Sequence, residues 1–204
     1  MKIYFVSSQY EPKALVKENF AKALVIFPDI QAVTGKNSIR ETYQYLSSLD
    51  FAEQFIWIDA DNKVYEAAKV ILTAPGPCIL KTENIYGIVY GHGGIKKCRK
   101  NIFVRPGIID VSFYLQFEVI DAVGSFHGLG EGNFKIRSIF AEMLKLAIRN
   151  DQVILKQWIN SCPQIWSRAE WALQNSDAYQ IQRLITDREF FKDYYEKNSL
   201  LSHM

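Results

Sequence analysis

The sequence has few of the features that mark secreted or membrane-spanning chains. Only three cysteines occur in 204 residues, without CxxC or Cys/His spacing, which is typical of thiols in a reducing cytoplasm. The longest apolar run, residues 70–80, is interrupted by Pro75, Gly76 and Pro77, so it is not a membrane span. The apolar segment at residues 3–6 is too short for a signal-peptide core. We therefore expect a soluble, cytoplasmic protein with no membrane partner.

An excess of charge of either sign is also missing. The chain has 24 Lys and Arg against 22 Asp and Glu, a net charge of +2, so its bulk charge does not indicate a nucleic-acid partner. Hydrophobic residues make up 49% of the chain and charged residues 23%, a balance that excludes a disordered chain. Aromatic residues, by contrast, are plentiful at 14%.

Strand and helix patterns alternate over the first 60 residues. In chain order they predict a strand at 2–6, a helix at 11–27, a strand at 30–33, a helix at 39–49 and a strand at 55–58. This alternation predicts a parallel sheet with covering helices. Short strand-like segments follow, and then helices are predicted at 134–148, 153–160, 165–174 and 179–195. The predicted fold class is α/β, with a Rossmann-like mixed sheet and a helical C-terminal third.

Two aspartates follow the most apolar of these strands. Asp59 and Asp61 lie two residues apart, at the strand end where open α/β sheets bind ligands. Carboxylate oxygens suit Mg²⁺ or Mn²⁺, which commonly bridge protein carboxylates and a diphosphate. The alternative is that the two side chains only cap the next helix or form an Asx turn.

Three known kinds of protein carry two aspartates at this spacing, each with a characteristic surrounding sequence. A Ca²⁺-binding EF-hand requires Gly and Glu at the sixth and twelfth loop positions, where this chain has Val64 and Val70, so an EF-hand is excluded. A phosphatase of the haloacid-dehalogenase type usually carries the pair on its first strand, whereas here it follows the third. A glycosyltransferase of the GT-A architecture has a nucleotide-binding half before its DxD motif, and that order fits best.

A glycine-rich segment follows, with Gly91, Gly93 and Gly94 within four residues. Glycines there let a backbone approach a ligand closely and offer its N–H groups. The spacing matches neither the GxGxxG motif nor a P-loop. The alternative is an ordinary hairpin turn.

Together these segments resemble one known family. Ile56-Trp-Ile-Asp59-Ala-Asp61-Asn62, Asn84 and Tyr90-Gly-His-Gly-Gly-Ile-Lys96 are similar to motifs of the bacteriophage glycosyltransferases related to the base-J glucosyltransferase, the TET/JBP-associated group. Segments 108–112, 133–140 and 184–191 match further parts of that family, so the resemblance spans roughly residues 3–195. Ala60 replaces the family's usual Gly, and the Trp expected shortly after Phe134 is missing.

The resemblance implies one GT-A-like domain over residues 1–204. Its parts are a nucleotide-binding half at 1–62, an acceptor and sugar half at 63–132 and C-terminal helices at 133–197. The implied enzyme is a glycosyltransferase of a bacteriophage, active in the host cytoplasm. It moves a sugar from a UDP-sugar to 5-hydroxymethylcytosine, or another hydroxymethylpyrimidine, in DNA. Its Mn²⁺ or Mg²⁺ cofactor neutralises the charge that develops on the leaving diphosphate.

The resemblance also implies roles for individual residues. Those near the nucleotide sugar are Ser7, Ser8, Lys36, Asp59, Gly93 and Gly94. Asp59 and Asp61 hold the metal ion as well. Asp110 is the general base if the reaction inverts the anomeric carbon, and an ordinary loop aspartate is the alternative.

A late residue often completes the metal site of a GT-A enzyme. His127 lies in a glycine-rich segment before the C-terminal helices, and a neutral imidazole can coordinate a metal ion. Glu131 competes for the same role, and the alternative for His127 is a structural histidine.

Several basic residues form a cluster in the sequence after the glycine-rich segment. The candidate DNA-binding residues are Lys96, Lys97, Arg99, Lys100, Lys135 and Arg137, which could neutralise phosphates. The alternative is a strand edge protected by lysines.

The aromatic residues divide into two predicted groups. Tyr86 and Tyr90 are candidates, with Phe134, to stack on an extruded base. Tryptophans at near-helical spacing, such as Trp158 and Trp171, are predicted to lie in the core.

Two other functions fit the same patterns. One is a GT-A glycosyltransferase with a carbohydrate or protein acceptor, which predicts no DNA affinity. The other is a catalytically inactive module that binds a nucleotide sugar, which predicts no metal-stimulated hydrolysis of the donor.

Overall fold

The computed structural model describes residues 1–8, 11–36, 39–49, 53–91, 94–100, 102, 116–128 and 132–199. The chain divides into two compact units, Met1–Gly128 and Leu129–Met204. The protein is mixed α/β, as predicted, because one unit is built on a sheet and the other on helices.

The first unit contains eight described strands and three described α-helices. The strands are β1 (Lys2–Ser7), β2 (Gln31–Thr34), β3 (Gln54–Asp59), β4 (Asn62–Val64), β5 (Cys78–Asn84), β6 (Val89–Tyr90), β7 (Ile95–Arg99) and β8 (Glu118–His127). The helices are α1 (Lys13–Ile26), α2 (Ile39–Ser48) and α3 (Val70–Thr73), with a 3₁₀ helix at Glu66–Lys69.

The strands form one mixed sheet in the order β2-β1-β3-β7-β5-β8-β4, with β6 beside β5. The first three are parallel, as the alternation predicts. β7 lies antiparallel between β3 and β5, and β8 runs parallel to β5. Because β4 pairs with β8 at the far edge, the chain just after β3 meets the end of β8.

Helices cover both faces of the parallel strands because side chains alternate along a strand. On β1, Ile3 and Phe5 belong to the same buried cluster as Ala23 of α1. Tyr4, from the other face, belongs to a cluster with Leu46 of α2. The crossovers β1-α1-β2 and β2-α2-β3 therefore place one helix on each face of the sheet.

On helix α1 one apolar residue is exposed and one polar residue is buried. Leu24 is 42% exposed, whereas Asn19 is buried and its Nδ2 donates to the carbonyl oxygen of Ala60 at 2.9 Å. A buried amide with a hydrogen-bond partner is stable in a core, so this polar residue faces the sheet.

The second unit is helical in its described part. Its helices are α4 (Gly132–Ile148), α5 (Gln152–Ser161), α6 (Pro163–Asn175), α7 (Ala178–Thr186) and α8 (Arg188–Ser199). The single helix predicted at 179–195 is thus two helices, because the Asp187 carboxylate accepts the Phe190 N–H at 3.0 Å and starts a new one. Trp158 is fully buried, as predicted, but Trp171 is 42% exposed. No helix in the described ranges is long and apolar enough to cross a membrane.

The packing of α2 on the sheet gives a test of the fold. Leu46 is fully buried and Leu49, three residues later, is 44% exposed. Leu46→Ala should lower the free energy of unfolding by about 2–5 kcal/mol, because it leaves a cavity. Leu49→Ala should change it by less than about 0.5 kcal/mol. Urea denaturation of the two variants measures the difference, and equal losses would contradict this packing.

Candidate functional site

The candidate site lies where β1 and β3 end. From β1 the chain moves to β2 on one side and then returns to β3 on the other, and such a reversal of strand order opens a crevice at the carboxyl ends of the strands. Ser7 ends β1 and Asp59 ends β3, with Val6 and Asp59 in register. The structure therefore places the predicted Ser7, Ser8 and Asp59 at neighbouring strand ends.

Asp59 is paired with a lysine from the adjacent strand. Lys96 Nζ lies 2.6 Å from Asp59 Oδ2 and 4.9 Å from the ring centroid of Trp57. The Lys96 side chain is only 4% exposed, whereas that of Asp59 is 35% exposed, so the carboxylate lies nearer the solvent. Burial raises the pKa of Asp59, and the ammonium of Lys96 opposes that shift.

Asp61 is paired with the predicted histidine. His127 Nε2 lies 3.2 Å from Asp61 Oδ2, and Asn62 Nδ2 donates to Asp61 Oδ1 at 2.7 Å. Burial alone would raise the pKa of Asp61, but the neighbouring His127 side chain and the amide of Asn62 lower it to about 2. This carboxylate is therefore ionised at neutral pH.

Strand pairing brings these two residues together. β4 starts directly after Asp61, and Asn62 pairs with His127 across the antiparallel β4–β8 ladder. The turn before β4 is held by two backbone hydrogen bonds, from Asp59 N to Gly94 O at 2.7 Å and from Ala60 N to Val6 O at 3.0 Å. These two hydrogen bonds fix the backbone of the turn that carries both aspartates.

A chain of buried hydrogen bonds supports that turn. Ser125 Oγ donates to Asn62 Oδ1 at 3.2 Å, and the hydroxyls of Ser125 and Thr82 lie 2.6 Å apart. Gly94 N donates to Thr82 Oγ1 at 3.2 Å. We call Asn62, Thr82, Gly94 and Ser125 the Asn62 network. It joins β4, β8 and β5 to the segment that enters β7.

Tyr90 contacts the other side of His127. Its hydroxyl oxygen lies 3.0 Å from His127 Nδ1, and the Tyr90 side chain is buried. A buried ring contributes to the core of this unit, so Tyr90 is not placed to stack on an extruded base. Tyr86, the other described candidate, is 37% exposed.

Glu11 is a site residue that the sequence patterns above do not single out. Its Oε2 accepts the backbone N–H of Ser8 at 2.9 Å. Burial raises the pKa of Glu11 to about 7, with a further contribution from the negative charge of Asp61. The spacing Ser8-x-x-Glu11 is that of a capping box, but α1 begins at Lys13 with Pro12 as its N-cap, so this spacing does not identify Glu11 as a site residue.

Two of the predicted DNA-binding lysines are not on the surface. Lys96 and Lys97 are 3% and 4% exposed. Lys97 Nζ donates to the carbonyl oxygens of Ala74 at 2.5 Å and Leu72 at 3.4 Å. The physical reason is that β7 lies inside the sheet rather than at its edge. Neither ammonium is available to bind a phosphate, so the prediction is wrong for these two residues.

The remaining predicted basic residues are more accessible. Arg99 is exposed and Lys100 is half-buried. Lys135 and Arg137 belong to α4 of the second unit, where Arg137 Nη2 donates to the Ile185 carbonyl at 2.8 Å. Lys36, predicted near the nucleotide, is exposed after β2, and its Nζ lies 4.2 Å from the ring centroid of Tyr45.

Three predicted site residues lie outside the described residues. They are Gly93, the candidate base Asp110 and the alternative metal ligand Glu131. Their predicted roles stay predictions.

Among the described residues, the side chains that could bind a metal ion lie together only in small groups. Over the described ranges no cluster of three or more His, Cys, Asp and Glu side chains could hold a metal ion. Asp61 and His127 form a pair of one oxygen and one nitrogen donor. Mg²⁺ typically binds through one or two protein carboxylates together with substrate phosphates, so a pair of protein ligands fits an ion that arrives with a diphosphate.

Gly94 has a structural role in this site. A Cβ at position 94 would lie 2.3 Å from Asn62 Nδ2, a separation that atoms do not tolerate. Glycine therefore lets Asn62 pack against the backbone that leads into β7.

Gly94→Ala tests the Asn62 network. It should lower the free energy of unfolding by about 1–3 kcal/mol, because the new methyl group displaces Asn62. Gly76→Ala is the control, since its Cβ would meet only Arg99 Nη2 at an ordinary 3.9 Å. Chemical denaturation measures both, and a Gly94→Ala variant as stable as the control would contradict the packing.

The chain was also compared with known proteins. No protein-family model matches it, and no curated protein matches it significantly. A function for this site has to be argued from its side chains and their arrangement.

Proposed function

We propose that the protein is a metal-dependent glycosyltransferase of the GT-A type that uses a UDP-sugar as donor. The observation that carries the proposal is the pairing of Asp61 with His127 beside Asp59, at the carboxyl end of β3. The resemblance to the phage glycosyltransferases assigns Asp59 and Asp61 to the metal and the donor, and His127 is the candidate late residue that completes a GT-A metal site.

The position of the site in the sheet supports a nucleotide ligand. Open α/β sheets bind ligands outside the carboxyl ends of strands where the strand order reverses, and here that point lies between β1 and β3. Ser7 ends β1 and Ser8 follows it, which supports a role of both residues near the nucleotide. Three parallel strands before the aspartates also agree with a nucleotide-binding half.

The donor atoms fit a divalent cation. Asp61 Oδ2 and His127 Nε2 lie 3.2 Å apart, and two ligands of one ion at right angles lie about 3 Å apart when each bond is about 2.1 Å. Mn²⁺ accepts both carboxylate and imidazole ligands. When bound, such an ion would neutralise the charge that develops on the leaving diphosphate.

The chain's own residues then have distinct tasks. Asp61 and His127 hold the ion, and Asp59 offers its more exposed carboxylate to the donor while Lys96 holds it in place. Because Lys96 already balances the charge of Asp59, we assign the ion mainly to Asp61 and His127. Asp110 remains the proposed base.

For the acceptor we propose 5-hydroxymethylcytosine, or another hydroxymethylpyrimidine, in DNA. Its support is the resemblance and the exposed Arg99 with the neighbouring Lys100. The burial of Lys96 and Lys97 removes two cations from that surface and favours a second candidate, the same transferase with a carbohydrate or protein acceptor.

Transfer activity tests the proposed function. The protein, Mn²⁺ and a panel of UDP-sugars are incubated with DNA that contains 5-hydroxymethylcytosine, and nucleosides are analysed by mass spectrometry. Asp61→Asn and His127→Asn should each reduce transfer by about 10²–10³-fold, because each removes stabilisation of the leaving diphosphate. Asp29→Asn is the control, since Asp29 is exposed between α1 and β2.

Two results would count against this proposal. If every donor leaves the DNA unmodified and Mn²⁺ stimulates no release of UDP, the protein is a catalytically inactive module that binds a nucleotide sugar. Full activity of Asp61→Asn would remove the assignment of the metal.

DNA affinity tests the acceptor separately. Arg99→Gln and Lys100→Gln should each weaken binding of duplex DNA and reduce the salt dependence, log Kd against log salt, by about 0.9 for each phosphate that is no longer neutralised. Lys156→Gln, an exposed lysine of α5, should change neither. Fluorescence anisotropy at several salt concentrations gives these slopes, and unchanged slopes in all three variants would favour a carbohydrate or protein acceptor.

A further inference from the structure

The hydrogen bond between Tyr90 and His127 has no part in the metal site proposed above. Tyr90 lies on β6, opposite Thr82 of β5, and Thr82 in turn lies opposite Ser125 of β8. His127 follows Ser125 by two residues, so it points to the same face of the sheet. The Tyr90 hydroxyl therefore reaches across β5 to His127 Nδ1, at 3.0 Å.

The two nitrogens of His127 face different partners. Nε2 faces Asp61 at 3.2 Å and Nδ1 faces Tyr90. A neutral imidazole carries its proton on one nitrogen only. If Nε2 is to donate its lone pair to a cation, the proton must be on Nδ1, and the group that faces Nδ1 must accept it. A tyrosine hydroxyl oxygen can do so.

We propose that Tyr90 is a positioning residue for His127, an inference that rests on the proposed metal role of Asp61 and His127. The Tyr90 oxygen accepts the Nδ1–H, selects the tautomer with a bare Nε2 and fixes the plane of the ring. Hydrogen bonds of this kind to a metal-binding histidine orient the ring and raise the basicity of its ligand nitrogen.

The surroundings of Tyr90 suit this task. Its side chain is 5% exposed, and its strand is anchored by pairing of Val89 and Tyr90 with Glu83 and Thr82. A buried ring on a paired strand holds its hydroxyl in one place. If Tyr90 served only to pack the core, phenylalanine would serve equally well. Removal of the hydroxyl alone therefore distinguishes a packing role from a positioning role.

The test is the affinity for Mn²⁺ alone, followed by the electron paramagnetic resonance signal of the free ion. Tyr90→Phe removes one oxygen and keeps the ring, and it should weaken Mn²⁺ binding by about 10–100-fold. Tyr43→Phe is the matched control. Tyr43 is also buried, and its hydroxyl donates to the Arg99 carbonyl and accepts from Ile102 N. It should bind Mn²⁺ like the natural protein.

The outcomes separate this inference from the proposed function. If the natural protein binds Mn²⁺, Asp61→Asn does not and Tyr90→Phe binds as tightly as the natural protein, the role of Tyr90 is wrong and the metal site stands. An equal loss in Tyr90→Phe and Tyr43→Phe reflects general destabilisation and also overturns the role. If the natural protein binds Mn²⁺ neither alone nor in the presence of UDP, both proposals fail.

A second measurement needs no variant of Tyr90. Nitrogen-15 spectra of histidine-labelled protein with Mg²⁺ report which ring nitrogen carries the proton, and the signal that disappears in His127→Gln assigns His127. We expect a protonated Nδ1. A proton on Nε2 would overturn the inference.

Discussion

The arrangement of the site depends on the buried hydrogen bonds of the Asn62 network. Asn62 lies under the turn that carries both aspartates, and it binds Asp61 on one side and Ser125 on the other. Through Thr82 the same chain of hydrogen bonds reaches Gly94. A buried polar group without a partner is costly, so the network keeps its geometry only if every member is in place. It fixes the turn against three strands.

Electrostatics then gives the two aspartates different properties. Asp59 pairs with the buried ammonium of Lys96, and Asp61 pairs with the imidazole of His127. A buried lysine needs a counterion, so Asp59 also has a structural task. Asp59 is therefore held by its ion pair with Lys96, and Asp61 is the aspartate that the proposed function assigns mainly to the metal ion.

Local patterns in the sequence predict the parallel part of the sheet and the position of Asp59 and Asp61, because alternation of strand and helix and a strand end are features of adjacent residues. They do not predict that β7 enters the sheet between β3 and β5, since this pairing joins residues that are distant in sequence. For that reason they assign Lys96 to a basic surface rather than to Asp59. In the sequence, His127 is a candidate metal ligand only because of its residue type. Its contact with Asp61 depends on the β4–β8 ladder, which local patterns do not predict. Local patterns do not identify Glu11, because the aspartates that raise its pKa, Asp61 and Asp59, are distant from it in the sequence.

We propose that Asp61 and His127 together hold a divalent cation at the carboxyl end of β3. The most direct measurement is a crystal structure of the protein with Mn²⁺ and UDP, with an anomalous difference map at a wavelength where manganese scatters. We expect a peak about 2.1 Å from both Asp61 Oδ2 and His127 Nε2, in contact with the diphosphate. Bound UDP with no peak there, or with a peak that neither side chain contacts, would contradict it.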